Sequence, residues 1–373
     1  MSNRIQAIYE LGQSIWCDSI SRRMIDSGEL QRLINLGVVG VTSNPTIFMK
    51  AVTTGSAYDE LFNKLLDEGL DTPGVYEGLV IRDIADAADR LKPVYERTDG
   101  VDGFVSLEVN PNLAYDTAGT IAEARRLFGA LNRDNVFIKV PATEEGIPAI
   151  AALIGEGVNV NVTLIFGIRR YEEVAKAYIS GLNKLQADGG DVTRVASVAS
   201  FFVSRVDTLV DKLLEVRGTA GDSVDHLRGG AAIANAKLAY TCFEAMFSEG
   251  GAFAPLEEAG ARVQRPLWAS TSTKNPAYPD TKYVDGLIGP NTVNTLPPET
   301  IEAALDHAAT GITIDDEVQE SRELCAELAA LGISIDEVTD KLLVDGVELF
   351  TKSYDDLLAD LERKAQSVRV AGR

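Results

Sequence analysis

Short apolar segments alternate with longer amphipathic ones over nearly the whole chain. The short segments, 15–18, 38–42, 103–108, 136–140, 158–165, 194–199, 266–270 and 284–288, have the length and composition of strands. Between them, apolar residues recur with a helical period over 20–36, 57–65, 76–95, 117–131, 147–154, 169–185 and 203–216. Strand and helix in strict alternation imply parallel strands joined by right-handed crossovers. Eight such units predict an α/β fold closed into a (β/α)₈ TIM barrel. An open doubly wound sheet is the competing arrangement, but no strand runs into the Gly-x-Gly-x-x-Gly turn of dinucleotide-binding sheets. Two segments exceed a minimal barrel. Residues 217–262, with a helical pattern over 231–247, form an insertion before the seventh strand, and 315–373 adds helices ending in 347–366. Neither has its own strand set or a flexible linker, so 1–373 is predicted to be a single barrel domain carrying both.

Composition narrows the class. The 373 residues suffice for a large core, and 45% hydrophobic with 24% charged is ordinary for a globular protein. A net charge of −21 disfavours nucleic acid or an anionic membrane as the main partner. A few local cations are enough to hold a sugar phosphate. The cysteines, Cys17, Cys242 and Cys325, are far apart and odd in number, which fits a reducing cytoplasm rather than a disulfide framework or metal cluster. His226 and His307 lie in charged, helical surroundings and are expected at the surface, which argues against a histidine triad or metal site. No apolar run approaches the length of a membrane span, and the start of the chain lacks a signal-peptide core. The expectation is a cytoplasmic protein needing no cofactor and no metal, with monomer and homodimer both open.

Candidate chemistry follows from the barrel rule that reactive side chains gather at the C-terminal ends of strands. In Val136-Phe137-Ile138-Lys139-Val140-Pro141-Ala142-Thr143 a lysine ends an otherwise apolar strand. A buried ammonium is costly unless it is paired or used, and desolvation is expected to lower its basicity. A neutral amine is what attacks a carbonyl to give a Schiff base; a lysine snorkelling to the surface is the plainer reading. Asp18 ends the first strand, Asn44 follows the second and Glu108 ends the third. On the fifth, Asn161 and Thr163 share one face, although Asn is depleted within strands. Ser200 and Arg205 follow the sixth strand, and Ser270 and Lys274 the seventh. Each has a simpler role beside the catalytic one. Asp18 and Asn44 could cap helices, Glu108 could stand exposed before a turn, Arg205 could pair with Asp207 or Asp211, and Lys274 could be a solvated loop residue. As a set they offer an amine, two carboxylates, amides, hydroxyls and two cations. Schiff-base chemistry on a phosphorylated ketose uses each of these types, and the iminium itself serves as electron sink.

Two longer motifs carry a family resemblance. Gly40-Val41-Thr42-Ser43-Asn44-Pro45-Thr46-Ile47-Phe48 resembles the first transaldolase signature, and Ile138-Lys139-Val140-Pro141-Ala142-Thr143-Glu144-Glu145-Gly146-Ile147-Pro148-Ala149 resembles the second, around the Schiff-base lysine. Ser106-Leu107-Glu108-Val109, Tyr115-Asp116-Thr117 and Asn161-Val162-Thr163-Leu164 are also similar to the family, and the length suits its longer branch. The resemblance implies a class I aldolase barrel with permuted strand order, its lysine on the fourth strand. It implies the pentose phosphate pathway transfer of a dihydroxyacetone unit from sedoheptulose 7-phosphate to glyceraldehyde 3-phosphate, giving erythrose 4-phosphate and fructose 6-phosphate. On this resemblance Lys139 forms the Schiff base, Asp18 is the acid/base, and Glu108 and Thr163 position a water. Asn44 and Asn161 hold the dihydroxyacetone hydroxyls, Ser200 contacts the intermediate, and Arg205 binds phosphate. The chain departs after the seventh strand. Where many members carry Arg two residues beyond an Ala-Ser pair, it reads Ala269-Ser270-Thr271-Ser272-Thr273-Lys274, leaving Ser270 and Lys274 for that contact. A lysine there lacks the bidentate fork of arginine. A shorter fructose 6-phosphate aldolase-like lyase, expected to have Gln at the Glu108 position, and a non-catalytic phosphosugar-binding barrel are the alternatives.

Overall fold

A computed structural model describes residues 3–53, 55–217, 224–248 and 250–371. Its eight strands form one closed parallel barrel in sequence order: β1 Gln13–Cys17, β2 Gly40–Val41, β3 Phe104–Glu108, β4 Val136–Pro141, β5 Val160–Ile165, β6 Ser197–Phe202, β7 Arg265–Ala269 and β8 Thr292–Leu296. Closure comes from β1 pairing with β8 over its whole length, Gln13 opposite Thr292 through Cys17 opposite Leu296. Every strand residue is buried, as expected when helices cover one face of a strand and the barrel interior the other.

Inside, side chains stack in layers. The floor, at the N-terminal ends of the strands, is polar: Arg265 Nη2 meets Asp102 Oδ1 at 2.9 Å, and Asp102 also accepts from Ser14 Oγ (2.8 Å) and Trp16 Nε1 (3.1 Å). Above it lie aromatic rings. Phe104 and Phe137 stack with centroids 4.2 Å apart, and Trp16 is 6.1 Å from Phe137. Position 40 is glycine because a Cβ there would run into the Trp16 ring. The third layer, at the C-terminal rim, carries the polar candidates.

The segment 284–288, read from sequence as the eighth strand, is not one. Lys282–Asp285 is a helical turn leading into a loop, and the strand is Thr292–Leu296. Val284, Leu287 and Ile288 are all fully buried. A short apolar run cannot distinguish a buried turn from a buried strand. The sixth strand lies three residues later than predicted, because Val192–Arg194 forms a 3-10 turn capped by Asp191. The predicted helix 20–36 is two, Arg22–Asp26 and Glu29–Asn35, broken at Gly28 with φ of 81°.

The insertion's helix is Ala231–Phe247; positions 218–223 and 249 lie outside the described residues. After β8 the chain adds Pro298–His307, Val318–Ala330 and a C-terminal helix, Ile335–Ala371. That last helix straps the barrel mouth. Near its start Thr339 packs on Gly167, and Gly346 packs on Leu164 at the end of β5. Farther along, Ser353 accepts from Thr46 Oγ1 (2.9 Å), Tyr354 meets Tyr76 edge to face (5.4 Å), and Lys364 pairs with Asp59 (2.6 Å).

No helix among the described residues is long and apolar enough to cross a membrane. His226 and His307 are roughly half exposed and bonded to Glu327 and Asp280, as expected of surface residues.

Candidate active site

Lys139 stands in the C-terminal half of β4, 4% exposed, between Glu108 of β3 and Asn161 of β5 in the strand register. It is neither snorkelling nor unpaired. Its Nζ lies 3.4 Å from Glu108 Oε2 and donates to the Ser43 carbonyl at 3.0 Å. Glu108 is 9% exposed, so it is not the solvated turn residue of the plainer reading, and its Oε2 has no hydrogen-bond partner among the described residues. Burial pushes the Glu108 carboxyl above the usual range, and the Lys139 charge pulls it only partly back.

Above this pair opens a cavity of about 330 Å³. Eight of the ten candidates, Asp18, Asn44, Lys139, Thr163, Ser200, Arg205, Ser270 and Lys274, line it. Glu108 and Asn161 do not. Asn161 is fully buried behind the wall, donating to Ser106 Oγ (3.0 Å) and accepting from Ser200 Oγ (2.7 Å), so it orients Ser200.

Asp18 follows β1 and is tied to β8 by its N–H on the Leu296 carbonyl (2.7 Å). Helix capping is not its role, since Ser21 caps Arg22–Asp26. Its Oδ1 accepts from Thr42 Oγ1 (2.7 Å), and Thr42 in turn contacts Thr295 Oγ1 (2.7 Å). Burial raises the Asp18 carboxyl, opposed first by the Thr42 hydrogen bond and then by the charges of Lys139, Lys274 and Arg205. A carboxyl held above its ordinary range can carry a proton nearer neutrality, as an acid/base group requires.

Thr163 lines the cavity from the same face of β5 as Asn161, beside a local distortion. The β5–β6 register shifts between Val162 and Ile165, and Leu164 has φ of 61°. Such bulges re-aim side chains next to sites. The Thr163 Oγ1 is buried without a partner among the described residues, which leaves it for a ligand or water. Asn44 fills both of its possible roles: its Oδ1 caps Pro45–Thr53 through the Ile47 N–H (3.0 Å), and the residue also lines the cavity.

Arg205 has no carboxylate within ion-pair distance among the described residues and lies over the Phe202 ring at 5.4 Å. Asp207 is taken by Lys282 (3.1 Å) and Tyr283 (2.8 Å), and Asp211 by Tyr278 (2.6 Å), so the anticipated pairing with either does not form. Burial pulls the guanidinium below its usual value, with the Asp18 charge opposing. Lys274 is exposed, bonded to Ser272 Oγ (2.6 Å), yet lines the same cavity.

Sequence reasoning missed Thr42 as the group that orients Asp18, and Lys50, Glu299 and Thr295 as wall residues. Thr295 was hidden by misplacing the eighth strand; the polar alternation of Thr-Val-Asn-Thr-Leu between Pro290-Asn291 and Pro297-Pro298 was the usable signal. Phe350 of the C-terminal helix covers the site, its ring 6.0 Å from Lys139 Nζ. Tyr354, one turn on, faces a separate cleft.

Barrel and rim together define an α/β barrel that presents a buried amine, two carboxyls and cations beneath a helical strap. The chain belongs to the transaldolase/fructose-6-phosphate aldolase family, whose profile matches residues 15–361. It is 48% identical to a transaldolase of Mycolicibacterium smegmatis over 95% of both chains. It is 46% identical to one of Saccharopolyspora erythraea, and 44% to one of Trichodesmium erythraeum, each over 99% of both chains.

Proposed function

We propose that this chain is a transaldolase, moving a dihydroxyacetone unit from sedoheptulose 7-phosphate to glyceraldehyde 3-phosphate through a Schiff base on Lys139. The observation that carries the reading is the Lys139–Glu108 pair at 3.4 Å, with its amine on the wall of the cavity that also holds Asp18. Glu108 gives up a proton as the carbinolamine loses water, with Thr163 holding that water. Asp18 takes the hydroxyl proton as the carbon–carbon bond breaks and returns it when the acceptor aldehyde is attacked. Asn44 and Ser200 hold the dihydroxyacetone hydroxyls, with Asn161 bracing Ser200. Arg205, Ser270 and Lys274 hold the phosphate. Phe350 keeps water from the enamine until the acceptor arrives. In this reading residues 217–262 and the helices after 315 serve the barrel as one unit.

The test is a coupled assay of both substrates, for the parent and Lys139→Ala. Turnover that requires the acceptor and vanishes in the variant supports transfer. Release of free dihydroxyacetone at an equal rate without acceptor makes the protein an aldolase, and binding without exchange makes it a binder.

A further inference from the structure

Besides the substrate cavity, the structure holds a cleft of about 440 Å³ on the barrel's flank, between helices Thr72–Arg97 and Thr117–Leu131 and the C-terminal helix. Tyr76 and Tyr354 form one wall, while Ala122, Glu123 and Arg126 form another. Glu108 lines this cleft and does not line the substrate cavity, although its carboxylate is paired with the amine that does. The Tyr76 phenol stands near enough to the Glu108 charge for that charge to disfavour its ionisation, after burial and Tyr354. Glu108 Oε2 is buried and accepts no hydrogen bond among the described residues, so its lone pair is unspent. Glu108 thus stands between two spaces, lining the cleft and paired with an amine on the wall of the other.

Resting on the Schiff-base reading above, we infer that the flank cleft is the route by which water leaves and enters at Glu108. In imine formation the Lys139 nitrogen adds to the ketone carbon, giving a carbinolamine. Its carbon–oxygen bond then breaks, the hydroxyl takes the Glu108 proton, and one water departs. Product release reverses this and consumes one water. Donor fills the mouth cavity beneath Phe350 while these steps run, so a separate path lets water pass without crossing the enamine. Water delivered from the Glu108 side also arrives next to the group that must deprotonate it.

Plugging the cleft from its outer wall tests the route. Ala122→Trp and Glu123→Trp narrow it, and Ala122→Ser leaves it open. Each enzyme is incubated with fructose 6-phosphate in heavy-oxygen water without acceptor, and enzyme-dependent exchange into the ketone is followed. The extent of borohydride trapping on Lys139 is measured at long times. The expected result is exchange slowed about tenfold in both Trp variants, the scale of a partly disabled proton-transfer group. Trapping extent should match the parent, and Ala122→Ser should exchange normally. Parental exchange in both Trp enzymes overturns the inference, and so does loss of the trapping endpoint in the Trp enzymes alone, because the cleft is then not separable from the site. Absence of trapping in the parent instead removes the Schiff-base reading itself.

Discussion

The two ends of the barrel each bury an ion pair, and the pairs differ in how fully they are bonded. At the floor, Asp102 accepts from Arg265, Ser14 and Trp16, so both of its oxygens are used. At the rim, Glu108 and Lys139 are 3.4 Å apart, and Glu108 Oε2 accepts no hydrogen bond among the described residues. Burial alone does not separate them, since Asp102 is 0% exposed and Lys139 4%. Bonding does. A saturated pair fixes strand positions and has nothing left to offer, whereas an under-bonded pair keeps a lone pair and N–H groups for substrate and water. A sequence reader meets two lone charges in apolar segments; only the partners reveal which is structural.

The sharpest way to break this comparison is to remove one member at each end. Lys139→Ala should lower transfer activity by about 10⁶-fold, the scale of losing a catalytic nucleophile, while cooperative unfolding persists. Asp102→Ala should leave Arg265 buried and unpaired and cost about 3–5 kcal/mol of stability, read from denaturant midpoints, with kcat per folded molecule unchanged. If Asp102→Ala instead loses kcat at full stability, the floor is not merely structural.

Glu108→Gln keeps the shape of the rim but cannot exchange a proton, so kcat should fall roughly 10²–10³-fold. Its stability should carry a pH signature. The Glu108 carboxyl sits above its ordinary value of 4.5 in the folded protein, so the fold binds a proton that the unfolded chain has released. That contribution is fully present below 4.5 and is lost as pH rises through the folded value. The Gln enzyme should therefore gain on the parent as pH climbs toward neutrality, and the two should converge in acid. The smallest effect is expected of Arg205→Ala. It should raise KM for phosphorylated donors roughly ten- to a hundredfold, the worth of one charge-assisted contact, with little change in kcat.

Much of this was legible in the sequence because a barrel enforces it. Strand–helix alternation gave seven of the eight strands, and the rule placing chemistry at strand ends brought eight candidate side chains to one cavity. Local ambiguity hid the rest. Tyr283, Val284, Leu287 and Ile288 are apolar and buried whether they form a turn or a strand. Asn161 bonds Ser106 and Ser200, partners on two other strands that its own segment does not reveal. The bulge beside Thr163 has Leu164 at φ of 61°, a backbone state no side-chain pattern announces. Glycine at 346, which lets the C-terminal helix lie on Leu164, depends on a contact between residues far apart in sequence.

The central claim is that the under-bonded lysine at the rim attacks a ketose. Borohydride reduction in the presence of fructose 6-phosphate, followed by peptide mass mapping, tests it directly. The account predicts a single reduced three-carbon adduct on Lys139, absent from Lys139→Ala. An adduct that maps to another lysine, or that survives the substitution, contradicts it.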